Sequence, residues 1–364
     1  MGFIVWCPTR GGCAILWGMD PIIDVVIPTF RPDERLLYIL ESMAAQTPRP
    51  RCVRIINTEK DGLDALLRDR GSSEETLIGQ YPFVRITHIR REEFDHGGTR
   101  NRGFRMCGGA EYVLTMTQDA VPADEELIGR LLDALQTDPR TDSSRDAGEP
   151  SWKTSGEDGA ENAAAPEGTI AVAYARQLPN ADAPAEERLS REFNYPAQSR
   201  TKSEADRGEL GIKTYFCSNV CAIYRMDIWR ELNGFPERAI FNEDMIYACK
   251  ALRAGYRIYY AAQAQVYHSH NYTAFQQFHR NFDLGVSQAQ NPQVFGGLTS
   301  EGEGVSYVKA VVGRMMAEHE ALRVPGFVWR CAARLAGYRL GKAYERLPKS
   351  WAAAFSSNKG YWNV

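Results

Sequence analysis

The chain predicts an α/β fold: a mostly parallel sheet flanked by helices, with a helical extension at the C-terminus. Two patterns carry that reading. From Asp24 to Tyr267, short apolar, β-branched runs alternate with segments whose apolar residues recur at helical spacing, the signature of strands joined by crossover helices. Beyond residue 295 the strand-like runs stop. Two helical patterns, Val305 to Ala321 and Phe327 to Arg346, follow with Pro325 between them. The expected organisation is an N-terminal extension (1–19), an α/β domain (20–295) and the helical extension (296–364). With 364 residues, 44% of them hydrophobic, the chain can bury one large core or two modest ones.

Asp24 to Phe30 reads as a buried first strand closed by Pro28 and Thr29. Asp33 can cap the next segment, where Leu36, Ile39, Leu40 and Met43 share a helical face. Arg51 to Asn57 is a second strand and Phe83 to Ile89 a third, with a weaker helical pattern at Leu63 to Arg70. Thr99 can cap a helix from Arg100 to Cys107. Tyr112 to Met116 is a fourth strand, and Asp124 to Gln136 places Leu127, Ile128, Leu131 and Leu135 on one helical face. Thr137 to Gly168 is rich in Asp, Ser, Gly, Ala and Glu and poor in large apolar residues, too little to offset chain entropy, and is expected to be a flexible surface insertion. Strand-like runs resume at Thr169 to Tyr174, Tyr215 to Tyr224, Arg257 to Ala261 and Ala264 to Tyr267, and a helix is expected over Thr273 to Gly285.

The bulk numbers narrow the function. A net charge of -3 lacks the basic footprint of a nucleic-acid partner. Eight cysteines stand without metal spacing apart from Cys217 and Cys221, which sit in an apolar run as small hydrophobes. That usage suits reduced thiols in a cytoplasm. No apolar run is long enough to span a bilayer. Pro8, Arg10 and two glycines interrupt Met1 to Gly18, which is expected to be disordered or to precede the natural start. Full activity of a chain beginning at Met19 would support that reading.

In parallel α/β sheets ligands bind beyond the C-terminal strand ends, so chemistry is sought in those turns. Asn242-Glu243-Asp244 lies between a Gly-Phe-Pro turn (234–236) and an amphipathic segment that stops at Gly255. Acids there gain from the helix macrodipole, and an ionised one can accept a proton from a sugar hydroxyl; on spacing alone they read more readily as an N-cap and first-turn acid of any helix. Thr117-Gln118-Asp119 follows the fourth strand, where an acid can bind a divalent cation, or serve as an ordinary turn residue. His268-Ser269-His270 follows the last strand; alternate residues of an extended segment point to opposite sides, so the two histidines need not share a ligand. Asp95 to Asn101 joins a glycine pair to a helix start with Arg100. Free N–H groups and a guanidinium suit phosphate or sugar; a glycine turn with a capping Thr suits the same letters. The tail sets Arg330, Arg334, Arg339, Lys342, Arg346 and Lys349 among Trp329, Leu335, Tyr338 and Leu340, a pattern for an anionic membrane surface or for a packed helix with a solvated basic face.

The blocks Asp24 to Phe30, Asp95 to Asn101, Thr117 to Pro122, Arg191 to Pro196, Ser218 to Cys221, Asn242 to Asp244 and His268 to Tyr272 resemble family 2 inverting glycosyltransferases, and within them the bacterial rhamnosyltransferase branch. The resemblance covers Asp24 to about Gln290 and the closing Gly360-Tyr361-Trp362 of the tail. It implies a GT-A (Rossmann-like) fold, a dTDP-L-rhamnose donor, and magnesium or manganese. It also implies a cytoplasmic active site working on a growing, lipid-linked surface polysaccharide. By position, Asp244 matches the general base with Glu243 beside it. Pro28, Thr29 and Arg31 border the nucleotide, and Asn57 stands where the family commonly has an Asp against the base. His96, Gly97, Thr99, Arg100, Gln118 and Asp119 belong to the nucleotide-sugar side. Asp119 and His268 match the metal or diphosphate ligands, and Asn219, Asn242 and His270 fall on the acceptor side. A same-fold transferase for another nucleotide sugar, and a non-catalytic binding module, remain as alternatives.

Overall fold

The computed structural model describes residues 21–137, 168–297 and 301–362. The expectations for Met1 to Gly18 and for the body of the 137–168 insertion fall outside these residues. The strands are β1 (Ile23–Phe30), β2 (Cys52–Thr58), β3 (Val84–Ile89), β4 (Tyr112–Met116), β5 (Val121–Pro122), β6 (Ile170–Leu178), β7 (Arg200–Lys202), β8 (Cys221–Arg225) and β9 (Arg257–Tyr267). The helices are α1 (Glu34–Ala45), α2 (Lys60–Asp69), α3 (Glu74–Gln80), α4 (His96–Met106), α5 (Leu127–Gln136), α6 (Ala185–Asn194), α7 (Arg207–Leu210) and α8 (Met226–Glu231). They continue with α9 (Glu243–Arg253), α10 (Ala274–Gln290), α11 (Pro292–Phe295), α12 (Glu301–Ala317), α13 (Val324–Lys342) and α14 (Lys349–Phe355).

One sheet runs in the order β3-β2-β1-β4-β8-β6-β9-β5, with β7 on β9. Its first half, β3 to β4, is parallel throughout, as the alternating pattern implies. β8 then runs antiparallel to both β4 and β6, while β6 and β9 are parallel. The reversal matters for function: it brings the start of β8 beside the end of β4, with Met116 opposite Cys221. Arg257 to Tyr267 is one strand rather than two, because a register shift against β6 absorbs the break at Ala262–Ala264. Of the expected 215–224 run only 221–224 is strand, and β8 continues to Arg225; the residues before it turn toward the acids of α9.

Alternation along β1 loads both faces. Val25 and Ile27 pack with Leu36, Ile39 and Leu40 of α1 and with α5. Val26 and Ile56 pack with Phe104, Tyr224, Trp229, Phe235 and Tyr247. Asp24, fully buried, is held by a two-pronged Arg51 pair at 2.6 and 2.8 Å.

The helical extension is docked by glycines. A Cβ on Gly341 would lie 2.1 Å from the Phe282 carbonyl oxygen, and one on Gly337 would lie 2.2 Å from that of Phe278. Four residues apart, the two glycines share a face of α13 and let α10 approach backbone to backbone. Pro325 sits in the first turn of α13 instead of separating two helices, a place where its missing N–H costs nothing. The packed-helix reading of the tail therefore holds for this face. Gly341→Val is expected to cost about 1–3 kcal/mol or more through overpacking, seen as a lower Tm; an unchanged Tm would mean that the α10–α13 contact contributes nothing.

Candidate active site

The acid pair opens α9 as expected, but the two carboxylates differ in environment. Asn242, the N-cap, is left-handed at φ 60°, a conformation Asn tolerates. Glu243 is buried; its Oε1 lies 3.1 Å from Arg100 Nη1 and accepts from Asn219 Nδ2 at 3.0 Å. Burial drives this carboxyl upward, yet the Arg100 charge and its other partners outweigh it and hold it below its ordinary value. Asp244 is only partly buried. It accepts from the Asn219 N–H at 3.1 Å and from the Met245 N–H at 2.8 Å. Burial pushes the Asp244 carboxyl up, and the Glu243 charge pushes it further, to about 7. Glu243 is thus a fixed charge and a prop; Asp244 is the group with a proton to exchange near neutrality.

A second group forms where β4 and β9 end. Asp119 Oδ1 lies 3.6 Å from His268 Nε2, and Oδ2 lies 3.3 Å from His270 Nε2. The imidazoles meet each other at 2.8 Å. Alternate residues of an extended segment need not share a ligand, but these two do meet one carboxylate: β9 stops at Tyr267, and 268–272 lies outside the strand. His270 therefore stands with the Asp119 group. Gln177, at the end of β6, orients it. Its Oε1 accepts from Arg191 and faces His268 Nδ1 at 2.8 Å, so Nδ1 is the protonated nitrogen and Nε2 keeps its lone pair. Burial lowers both histidines, His270 to about 4, which keeps them neutral. One carboxylate oxygen and two imidazole nitrogens lie within 4.8 Å of one another. Thr117 Oγ1, two residues earlier, is buried without a partner. This donor set fits a divalent cation that accepts both nitrogen and oxygen.

The two groups are tied together. Gln177 Nε2 donates to Ser218 Oγ at 2.9 Å, next to Asn219, whose amide holds Asp244. Thr117 N–H donates to the Val220 carbonyl at 3.1 Å. Sequence reasoning misses Gln177; its only signal is a polar Arg176-Gln177 pair near the end of the otherwise apolar β6.

Other expected site residues have different work. Asp95, not Thr99, caps α4, accepting from Gly97 and Gly98 N–H. Those amides are therefore spent and offer no phosphate cradle. The glycines allow close approach: a Cβ on Gly97 would lie 1.9 Å from the Pro236 carbonyl oxygen. Asp95 also accepts from Ala239 N–H at 3.1 Å, and Asn101 exchanges two bonds with Phe235. The block clasps the loop that leads into α9, with Arg100 and Thr99 buried inside it. Burial lowers His96 to about 4, so it is neutral. Asn219 bonds Glu243 and Tyr224 OH with its side chain, and Asn242 Nδ2 lies 3.4 Å from Ser287 Oγ. Asn57 is fully buried, bonded to Thr29, the Glu59 carbonyl and His88, so its side chain has no atom left for a base. Gln118 brackets the Phe30 backbone at 2.8 and 3.0 Å. Pro28 is half-buried in β1 between the buried Ile27 and Thr29, and the exposed Arg31, at φ 46°, flanks the Phe30 ring.

An acid lifted toward neutrality, linked through Gln177 and Ser218 to a carboxylate clustered with two imidazoles, suits an enzyme that transfers sugars, a glycosyltransferase. The family model for glycosyl transferase family 2 matches residues 24–232. The chain belongs to that family. It is 35% identical over 346 residues to the O-antigen chain rhamnosyltransferase RfbN of Salmonella typhimurium, covering 94% of this chain and 96% of that protein. It is also 35% identical over 348 residues to the O-antigen chain rhamnosyltransferase WbaN of Salmonella anatum, with the same coverage. The solved mannosyltransferase PcManGT of Pyrobaculum calidifontis, in complex with GDP-Man and Mn2+, shares the fold at TM-score 0.52 and 13% identity, over 88% of this chain and 87% of that one. The fold is of the GT-A type.

Proposed function

We propose that this glycosyltransferase moves L-rhamnose from dTDP-L-rhamnose to a hydroxyl of a growing surface polysaccharide, inverting the anomeric centre. The rhamnosyltransferase relatives support the sugar and the acceptor class. The observation that carries the chemistry is Asp244, lifted to about 7 and joined by Gln177 and Ser218 to the Asp119 group. Asp244 takes the proton of the acceptor hydroxyl as that oxygen attacks. Glu243, kept ionised by Arg100, keeps Asp244 basic enough to do so. Asp119, His268 and His270 would hold a divalent cation, which when bound supplies positive charge against the departing diphosphate. Phe30, Arg31 and Arg91 offer a ring with a guanidinium 5.2 and 5.3 Å away for the nucleotide side. Assaying release of nucleoside diphosphate from dTDP-L-rhamnose, UDP-sugars and GDP-sugars tests the donor; turnover with another sugar in preference would overturn it.

The rate should depend on pH with a definite sign. Below about 7 Asp244 carries a proton and accepts none, so kcat is expected to fall as pH drops and to level off above neutrality, with the apparent value belonging to the coupled acids. A profile flat through neutrality would remove Asp244 from the role.

The tail would hold the enzyme at the inner face of the membrane. Among the described residues no helix is long and apolar enough to cross a membrane. Leu322 is 98% exposed and Trp329 68%, beside the basic residues of α13. Trp329→Glu is expected to reduce flotation with anionic vesicles; equal flotation would leave the tail a packing element alone.

A further inference from the structure

We infer that the helical extension builds a subsite for a second sugar of the acceptor, beside the Asp119 group. The inference deepens the glycosyl-transfer reading above and rests on it. A cavity of about 260 Å³ is walled by Glu186 and Glu187 of α6, His270, Tyr307 of α12, and Arg330 and Arg334 of α13. His270 belongs to this wall and to the cation group at once. The walls follow β6 and β9, in the half of the sheet away from β1 to β3. None of Asp119, Asn219, Glu243 and Asp244 lines the cavity. The sugar bearing the attacked hydroxyl must reach Asp244, so this space takes its neighbour in the chain.

The lining chemistry selects a neutral, hydroxyl-rich ligand. Two carboxylates and two guanidiniums cancel in formal charge. Glu186 Oε1 pairs with Arg330, and Glu187 Oε1 pairs with Arg191 at 2.7 Å. Glu186 Oε2 is buried with no hydrogen-bond partner, an acceptor waiting for a donor. Arg334 has no carboxylate partner among the described residues and lies 5.6 Å over the Tyr307 ring, leaving donors for a hydroxyl oxygen. A phosphate would meet the two carboxylates, and an apolar group would strand Glu186 Oε2. The volume lies just under the roughly 300 Å³ at which drug-sized pockets begin, the scale of a single sugar ring.

Saturation-transfer NMR on the full chain, with the methyl pyranosides of galactose, glucose, mannose and rhamnose as probes, reads the subsite. Calorimetry with dTDP and dTDP-L-rhamnose reads the donor side. At least one pyranoside is expected to receive saturation. Arg334→Ala, which removes a charged donor, and Ser190→Phe, which fills the cavity, are each expected to weaken that binding about tenfold or more. Donor affinity should stay within about twofold, as for separate sites. Two variants acting by different means, each with its melting temperature measured, guard against misfolding. Absence of any pyranoside signal, or its retention in both folded variants, overturns the inference. Displacement of the pyranoside by inorganic phosphate overturns it in favour of an anion site. Loss of dTDP-L-rhamnose affinity with dTDP affinity kept makes the cavity the donor-sugar pocket and overturns it too. Failure of dTDP-L-rhamnose to bind the wild type, with the pyranoside pattern intact, would sink the donor assignment and leave the subsite standing.

Discussion

Asp244→Asn is expected to lower kcat by about 10²–10⁴-fold, the usual contribution of a positioned base, with donor affinity almost unchanged. The substitution is close to isosteric. Its amide oxygen can still accept from the Asn219 or Met245 N–H, so the start of α9 should survive. What is lost is the ability to take a proton. A fall in kcat without a change in dTDP affinity is the signature of an interaction made in the transition state alone. Near-normal turnover would displace Asp244. Glu243 is a poor substitute because Arg100 and Asn219 already occupy it. Its removal would leave Arg100 buried without a counter-charge, an outcome that typically costs about 3–5 kcal/mol.

Asp119→Ala should abolish the metal-dependent part of donor binding. Losing an outer-shell partner of a metal ligand typically costs about 10–100-fold in affinity, and a direct carboxylate donor should cost at least the upper end of that range. Calorimetry with dTDP, with and without magnesium or manganese, measures it. The variant should match the metal-free wild type. If added metal still strengthened dTDP binding in the variant, the cation would have to be held elsewhere than by Asp119, His268 and His270.

Several of these residues are legible in the amino-acid sequence. The acids at 243 and 244, the carboxylate at 119 and the histidine at 268 each follow a recognisable strand or open a recognisable helix. The glycine block at 95–101 is legible as a helix start, but its partner is not. Glycines and a capping side chain show where backbone is bare without showing what backs onto it, and here the 235–239 loop does. Motif position assigns Asn57, Asn219 and Asn242 to ligands, yet the amides of Asn57 and Asn219 are taken up inside the protein and that of Asn242 turns toward Ser287. Gln177 is silent because a polar pair, Arg176-Gln177, near the end of an apolar strand carries no periodic signal.

The chain alone determined the alternation of elements, the acidic start of α9 and the helical extension, since these depend on periodicity and capping within a few residues. Tertiary structure alone decided which loops meet. Asp119 with His268 and His270, Arg100 with Glu243, and Gln177 with both groups are pairings across long stretches of chain. They follow from the sheet order, which sets β5 against the end of β9 and β8 between β4 and β6, and from the helices packed on it, which no local pattern encodes because strand neighbours are chosen by the packing of whole faces.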